Sequence, residues 1–173
     1  MILAILVGCT SAWDSTRHEN SAELVLTVDE REVDASFDVT ATIYLQATDA
    51  GDTDTATFDT GWSDTTGVSI DVDVEVKEAT GDGRARFLAW ASQSTDVVPQ
   101  PVEFVAGERP TVFHERMFCA ARDGTCALDQ HATVDLREGG PMTVVLRLTV
   151  DASADDESAK YISDQTEYTL GFR

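Results

Sequence analysis

Val68-Ser69-Ile70-Asp71-Val72-Asp73-Val74-Glu75-Val76-Lys77 alternates a β-branched apolar residue with a polar one over ten consecutive positions. In an extended chain successive side chains point to opposite faces, so this stretch gains one dry face and one wet face. In a helix the same residues would be scattered around the axis. The period continues outward in both directions. Upstream, Val33, Ala35, Phe37, Val39, Ala41, Ile43 and Leu45 alternate with Asp34, Ser36, Asp38, Thr40, Thr42, Tyr44 and Gln46, and Leu24, Leu26 and Val28 open the series. Downstream it recurs in Ala85/Phe87/Ala89/Ala91, Val102/Phe104, residues 110–118, Ala132/Val134/Leu136, Met142/Val144/Leu146/Leu148/Val150 and Tyr168/Leu170/Phe172.

Gly81-Asp82-Gly83, Ala106-Gly107, Asp123-Gly124 and Gly139-Gly140-Pro141 punctuate these runs, and their residue types predict hairpins between consecutive strands. About nine strands, each with one polar face and none with a helical period, predict an all-β fold. The expected architecture is an antiparallel two-sheet β-sandwich of immunoglobulin-like or jelly-roll-like type. Two connections are too long for hairpins: Thr48 to Thr66, and Asp151 to Asp164, where Ser153 and Asp156 have the spacing of a helix cap. Both are read as crossovers between sheets. No internal repeat marks a second domain.

The chain has 173 residues, 42% of them hydrophobic and 25% charged, which excludes a wholly disordered chain, a collagen-like fibre and a multi-span membrane protein. Twelve basic against 32 acidic side chains give a net charge of −20. Such a surface repels phosphate backbones, and the basic residues are scattered rather than grouped, so nucleic acid is not an expected partner. The charge is read first as a device for solubility.

Met1 to Gly8 is an apolar run too short to cross a bilayer, which takes about 20 residues. Its end, Leu6-Val7-Gly8-Cys9, resembles the lipobox of bacterial lipoproteins, in which cleavage follows the small residue and the cysteine becomes the lipidated N-terminus. No Lys or Arg precedes Cys9, where a signal of that family carries a basic region, and a start upstream of Met1 is expected to supply it. The resemblance implies three segments: 1–8 as a truncated signal, 9–21 as the lipidated Cys9 and a polar tether, and 22–173 as one sandwich domain. It also implies export. Thr10 after the cysteine is similar to the family's outer-membrane sorting pattern, so the expected location is the outer membrane or cell surface, with the membrane as a partner through the lipid.

Once Cys9 is assigned to lipid, Cys119 and Cys126 remain as a pair, and the Asp123-Gly124 turn between them predicts a disulfide across a hairpin. The competing reading is a structural zinc site built from His114, Cys119, Cys126 and His131. Six residues between the cysteines exceed the two to four usual in such sites, and an exported chain favours oxidation.

Three further chemistries have candidate residues or motifs to test against the sequence. Asp49, Asp52 and Asp54 in one loop, and Asp151, Asp155, Asp156 and Glu157 in another, are weak candidates for calcium, without EF-hand spacing. Tyr44, Trp62 and Trp90 are candidates for an aromatic platform facing a protein or carbohydrate partner. Leu88 beside Trp90 favours the alternative in which loops cover that face. No nucleophile elbow, zincin helix or glycine-rich phosphate loop appears, so neither an enzyme nor a cofactor is expected. The sequence predicts a lipid-anchored sandwich with a binding, adhesion or structural role. A calcium-dependent binding module and a secreted hydrolase are the alternatives.

Overall fold

The structure is a computed structural model that describes residues 17–29, 32–42, 45–47, 67–90, 100–120, 125–154, 160–162 and 167–173. The described residues form thirteen strands: β1 (Arg17–Val28), β2 (Val33–Asp34), β3 (Phe37–Thr42), β4 (Leu45–Ala47), β5 (Gly67–Gly81), β6 (Arg84–Ala89), β7 (Val102–Val105), β8 (Thr111–Ala120), β9 (Thr125–Gln130), β10 (Ala132–Glu138), β11 (Met142–Ala154), β12 (Lys160–Ile162) and β13 (Glu167–Phe172). All pairings are antiparallel, as the alternation predicts. The count exceeds nine because β2, β3 and β4 fall within or at the end of the one run expected over 33–46, and because β9 and β12 lie where no alternating run is expected; β3 and β9 are set off from β2 and β10 by breaks at Ala35-Ser36 and at His131.

One layer has the order β1-β11-β5-β8. Its two central strands are the longest runs of alternation. Ile70, Val72, Val74 and Val76 of β5 and Val144, Leu146, Leu148, Val150 and Ala152 of β11 are fully buried on its inner face. On the outer face Glu23, Arg147 and Glu75 form one cross-strand row, joined by Arg147 at 3.0 and 3.3 Å. Lys77 also reaches Glu23 at 2.6 Å, and this bond, with those from Arg147, outweighs desolvation and holds the Glu23 carboxyl below its ordinary value. β1 begins five residues before Ala22, so Arg17–Ser21, read as tether, pair in register with Ser153–Thr149.

The other layer combines β2-β10-β6-β7 with β13-β3-β9. The two groups share one register. Asp34 faces Thr133 and Phe37 faces Gln130, so across the interruption Ser36 stands opposite His131, and the Ala35 N–H still donates to the Ala132 carbonyl at 2.8 Å. The layers meet in a single apolar core, where Phe37 of β3 packs edge-on against Phe113 of β8 at 5.1 Å and against Phe172 of β13 at 6.0 Å. Burying these inner faces is the main stabilising term of such a fold. The short β4 and β12 pair with each other, and β11 runs on through Ala154, so strand occupies part of the second long connection.

The hairpin expectation is corrected at each of the three marked turns among the described residues. Gly81-Asp82-Gly83 joins β5 to β6, Ala106-Gly107 joins β7 to β8 and Gly139-Gly140-Pro141 joins β10 to β11, and each passes from one layer to the other; Asp123-Gly124 lies outside the described residues, and the strands flanking it, β8 and β9, are in different layers. Among the described residues β6 and β7 are the only consecutive strands that are hydrogen-bonded neighbours. A tight reversal and a layer-to-layer corner need the same permissive backbone, so glycine marks both. Two of the corners pack on each other. Gly81 and Gly139 have φ of 122° and 84°, and a Cβ at either would lie 2.4 Å from a backbone oxygen of the facing corner, that of Pro141 or Asp82. Strands β5 and β6, paired throughout with β11 and β10, thus behave as one long ribbon folded at its glycines.

Candidate functional site

The interruption of the second ribbon gathers Asp34, Ser36, Trp90, Gln130 and His131. Ala35, Ser36 and Phe37 are all buried, so the alternation that would put Ser36 on a wet face fails there. The Asp34 side chain causes the break by accepting from both the Ser36 N–H at 3.0 Å and the Ser36 hydroxyl at 2.6 Å, a local turn that competes with extended structure. Ser36 Oγ then accepts the Ala132 N–H at 3.2 Å and contacts His131 Nδ1 at 2.8 Å. A hydroxyl has one proton. The short bond to a carboxylate takes it, so the His131 proton lies on Nδ1 and points at Ser36.

Trp90, just past the end of β6, completes the cluster. Its ring stacks on the His131 imidazole with centroids 4.3 Å apart and planes inclined by 28°, and its backbone N–H donates to the His131 carbonyl at 3.0 Å. Gln130, 1% exposed, donates Nε2 to the carbonyls of Trp90 and His131; two acceptors fix the sense of its amide. Trp90 nevertheless remains 40% exposed, so the cover that Leu88 suggested is incomplete. Partial desolvation pushes the Asp34 carboxyl up, but the two Ser36 hydrogen bonds, with the charges of His131 and Arg173, outweigh it and hold the carboxyl below its ordinary value.

Aspartate, serine and histidine are together here, but in the wrong order for acyl transfer. A nucleophilic serine gives its proton to the imidazole, which the carboxylate orients. In this cluster the serine lies between the other two, gives its proton to the carboxylate and is 5% exposed. The arrangement fixes a strand break and a flat aromatic face.

The remaining candidates are placed as follows. Asp151 is half-buried on β11 across from Asp71, which Arg116 grips through two bonds of 2.7 and 2.8 Å. His114 lies on β8 with Nδ1 2.9 Å from Asp73, whereas His131 belongs to the other layer. Cys126 packs against the core and is disulfide-bonded, so it offers no thiolate to zinc. Its strand, β9, and the strand of Cys119, β8, are in different layers, which removes the hairpin expected to bring the cysteines together. Among the described residues no group of three or more His, Cys, Asp or Glu converges as a metal site requires. Cys9, Tyr44, Asp49, Asp52, Asp54, Trp62, Asp155 and Asp156 lie outside the described residues. Sequence reasoning missed Asp34, Ser36 and Gln130 as members of a site. The available signal was Asp34-Ala35-Ser36, an Asp-x-Ser turn pattern inside an alternating run.

No family model and no curated protein matches the chain. A solved chain from the disulfide-linked pili that form Bacillus endospore appendages is similar over 87% of this chain and 100% of its own, with a TM-score of 0.37 and 9% sequence identity, a level that carries no argument.

Proposed function

We propose that this chain is an exported, lipid-anchored β-sandwich with a non-catalytic binding or structural role at the outer membrane or cell surface. The observation that carries the binding role is Trp90. Trp90, 40% exposed, is held by a histidine stacked on its ring and by a hydrogen bond from the buried Gln130 to its backbone carbonyl, an expense of buried polar groups that suits a pre-organised contact face. The proton order at Ser36 supports a scaffold rather than a hydrolase. Anchoring rests on Leu6-Val7-Gly8-Cys9.

On this reading Cys9 carries lipid, and Cys119 is the partner of Cys126 in a bridge that ties one layer to the other. Anchoring is tested by expressing the gene with its own upstream sequence in the presence of labelled palmitate. Wild type should take up label and sediment with membranes, and Cys9→Ala should do neither; equal partitioning of the two forms refutes the anchor. Multiple acylation is expected, because one chain alone binds only marginally.

A further inference from the structure

We propose that the Trp90–His131 stack and the Asp34 carboxylate together form a docking site for a basic side chain, guanidinium or ammonium, of a partner polypeptide. The inference rests on the binding role above and names the chemistry that the site would take.

Two independent features point to a cation. The first is the aromatic face. Trp90 is an exposed residue whose indole stacks on the His131 imidazole, and indole is the best of the aromatic surfaces for a cation. The second is an exposed carboxylate, Asp34, that feels the charges of His131 and Arg173 but forms no ion pair among the described residues. Asp34 accepts hydrogen bonds from Ser36, a neutral group, and no Lys or Arg lies within ion-pair distance of it among the described residues. Arg173, whose charge reaches Asp34, forms its ion pairs with Asp38 and Asp129, and Arg86 binds Asp135 through two bonds of 2.9 and 3.0 Å. The two features are adjacent, because His131 touches the indole with its ring and is separated from Asp34 by a single hydroxyl. The chain's net charge of −20 adds a long-range attraction for a basic partner and repels an acidic one. The pinned geometry reduces what binding must order.

The probe is N-acetyl triarginine amide, titrated calorimetrically into the folded chain at low and at moderate salt, with tricitrulline amide as its uncharged counterpart. Asp34→Asn keeps an oxygen acceptor for Ser36 and so preserves the break, Trp90→Leu removes the aromatic face, and Glu138→Gln deletes one exposed charge at the opposite end of β10. Wild type should prefer triarginine, and Asp34→Asn and Trp90→Leu should each weaken it about tenfold, the scale of a lost charge pair or cation–π contact. Glu138→Gln should stay within about twofold, since a distant exposed charge is largely screened. Thermal melts of all three variants confirm that folded protein is compared. Equal weakening by all three would assign the binding to net charge alone. Unchanged affinity in Asp34→Asn and Trp90→Leu, or equal affinity for tricitrulline, also overturns the site. A failure here leaves lipidation of Cys9 and a binding role for another ligand intact, and a failure of lipidation leaves this site intact.

Discussion

The two long strand ribbons of this sandwich each change course once, the first at Gly81 and Gly139 and the second at Ser36 and His131, and the means differ. At the glycines side chains are absent, and each corner's backbone lies against the other's at distances that exclude a Cβ. At Ser36 and His131 the register continues, but side chains provide hydrogen bonds that an unbroken ladder would take from the backbone; the Ala132 N–H, for instance, donates to the Ser36 hydroxyl. The first bend is a packing constraint, sensitive to volume. The second is a polar constraint, sensitive to the identity and charge of its groups, and it alone leaves an aromatic face at the surface.

The largest effect should come from adding volume to the glycine bend. Gly81→Val places a branched side chain at φ 122° against the Pro141 carbonyl and should cost about 3 kcal/mol or more by urea unfolding. A change near zero would mean that the corners separate freely. Removing the disulfide should rank next. Cys126→Ser should lose about 2–3 kcal/mol while remaining folded, because the apolar core is independent of it. If Cys119 is the partner, alkylation without reductant should label neither residue and alkylation after reduction should label both.

At the polar bend, Ser36→Ala deprives the Ala132 N–H and the His131 Nδ1–H of their acceptor and should cost about 2 kcal/mol. A loss indistinguishable from zero would show that water replaces the hydroxyl. The same bend should be sensitive to acid. The Asp34 carboxyl is held below its ordinary value of 3.8 in the folded chain, so its stabilisation is present above that pH and is lost as pH falls through the lower folded value. The difference in melting temperature between wild type and Asp34→Asn should therefore narrow progressively below pH 3.8; a difference that holds constant into acid would contradict the role of the charge. The smallest effect belongs to the straight part of the first layer. Arg147→Ala breaks the exposed row with Glu23 and Glu75 and should cost no more than about 1 kcal/mol, falling further in high salt.

The strands themselves were legible because their information is local. Alternation over Val68 to Lys77 requires only that the chain be extended and one face dry, and β5 obeys it from Ile70 through Val76. Trp90 was legible as a candidate platform because it stands on the polar side of its run. Its companions were not: Ser36 and Asp34 read as ordinary wet-face residues, and the signal that separates them, an Asp side chain closing on the residue two positions ahead, conflicts with the period around it.

By itself the sequence determined the all-β class, the inward and outward assignment of the long strands, the acidic surface and the places where the chain turns. Tertiary structure decided which strands are neighbours. Each described glycine turn read as a hairpin proved to be a corner between layers, since a glycine that permits positive φ states that the chain can reverse and says nothing of the sheet it reverses into. That choice is made by the apolar faces. β5 and β6 cannot both bury their dry sides within one flat hairpin as fully as they do when folded over each other around Phe37, Phe87 and Leu146. The same long-range packing set Ser36 opposite His131, residues 95 positions apart, and so assembled the polar bend that no local reading of either segment contains.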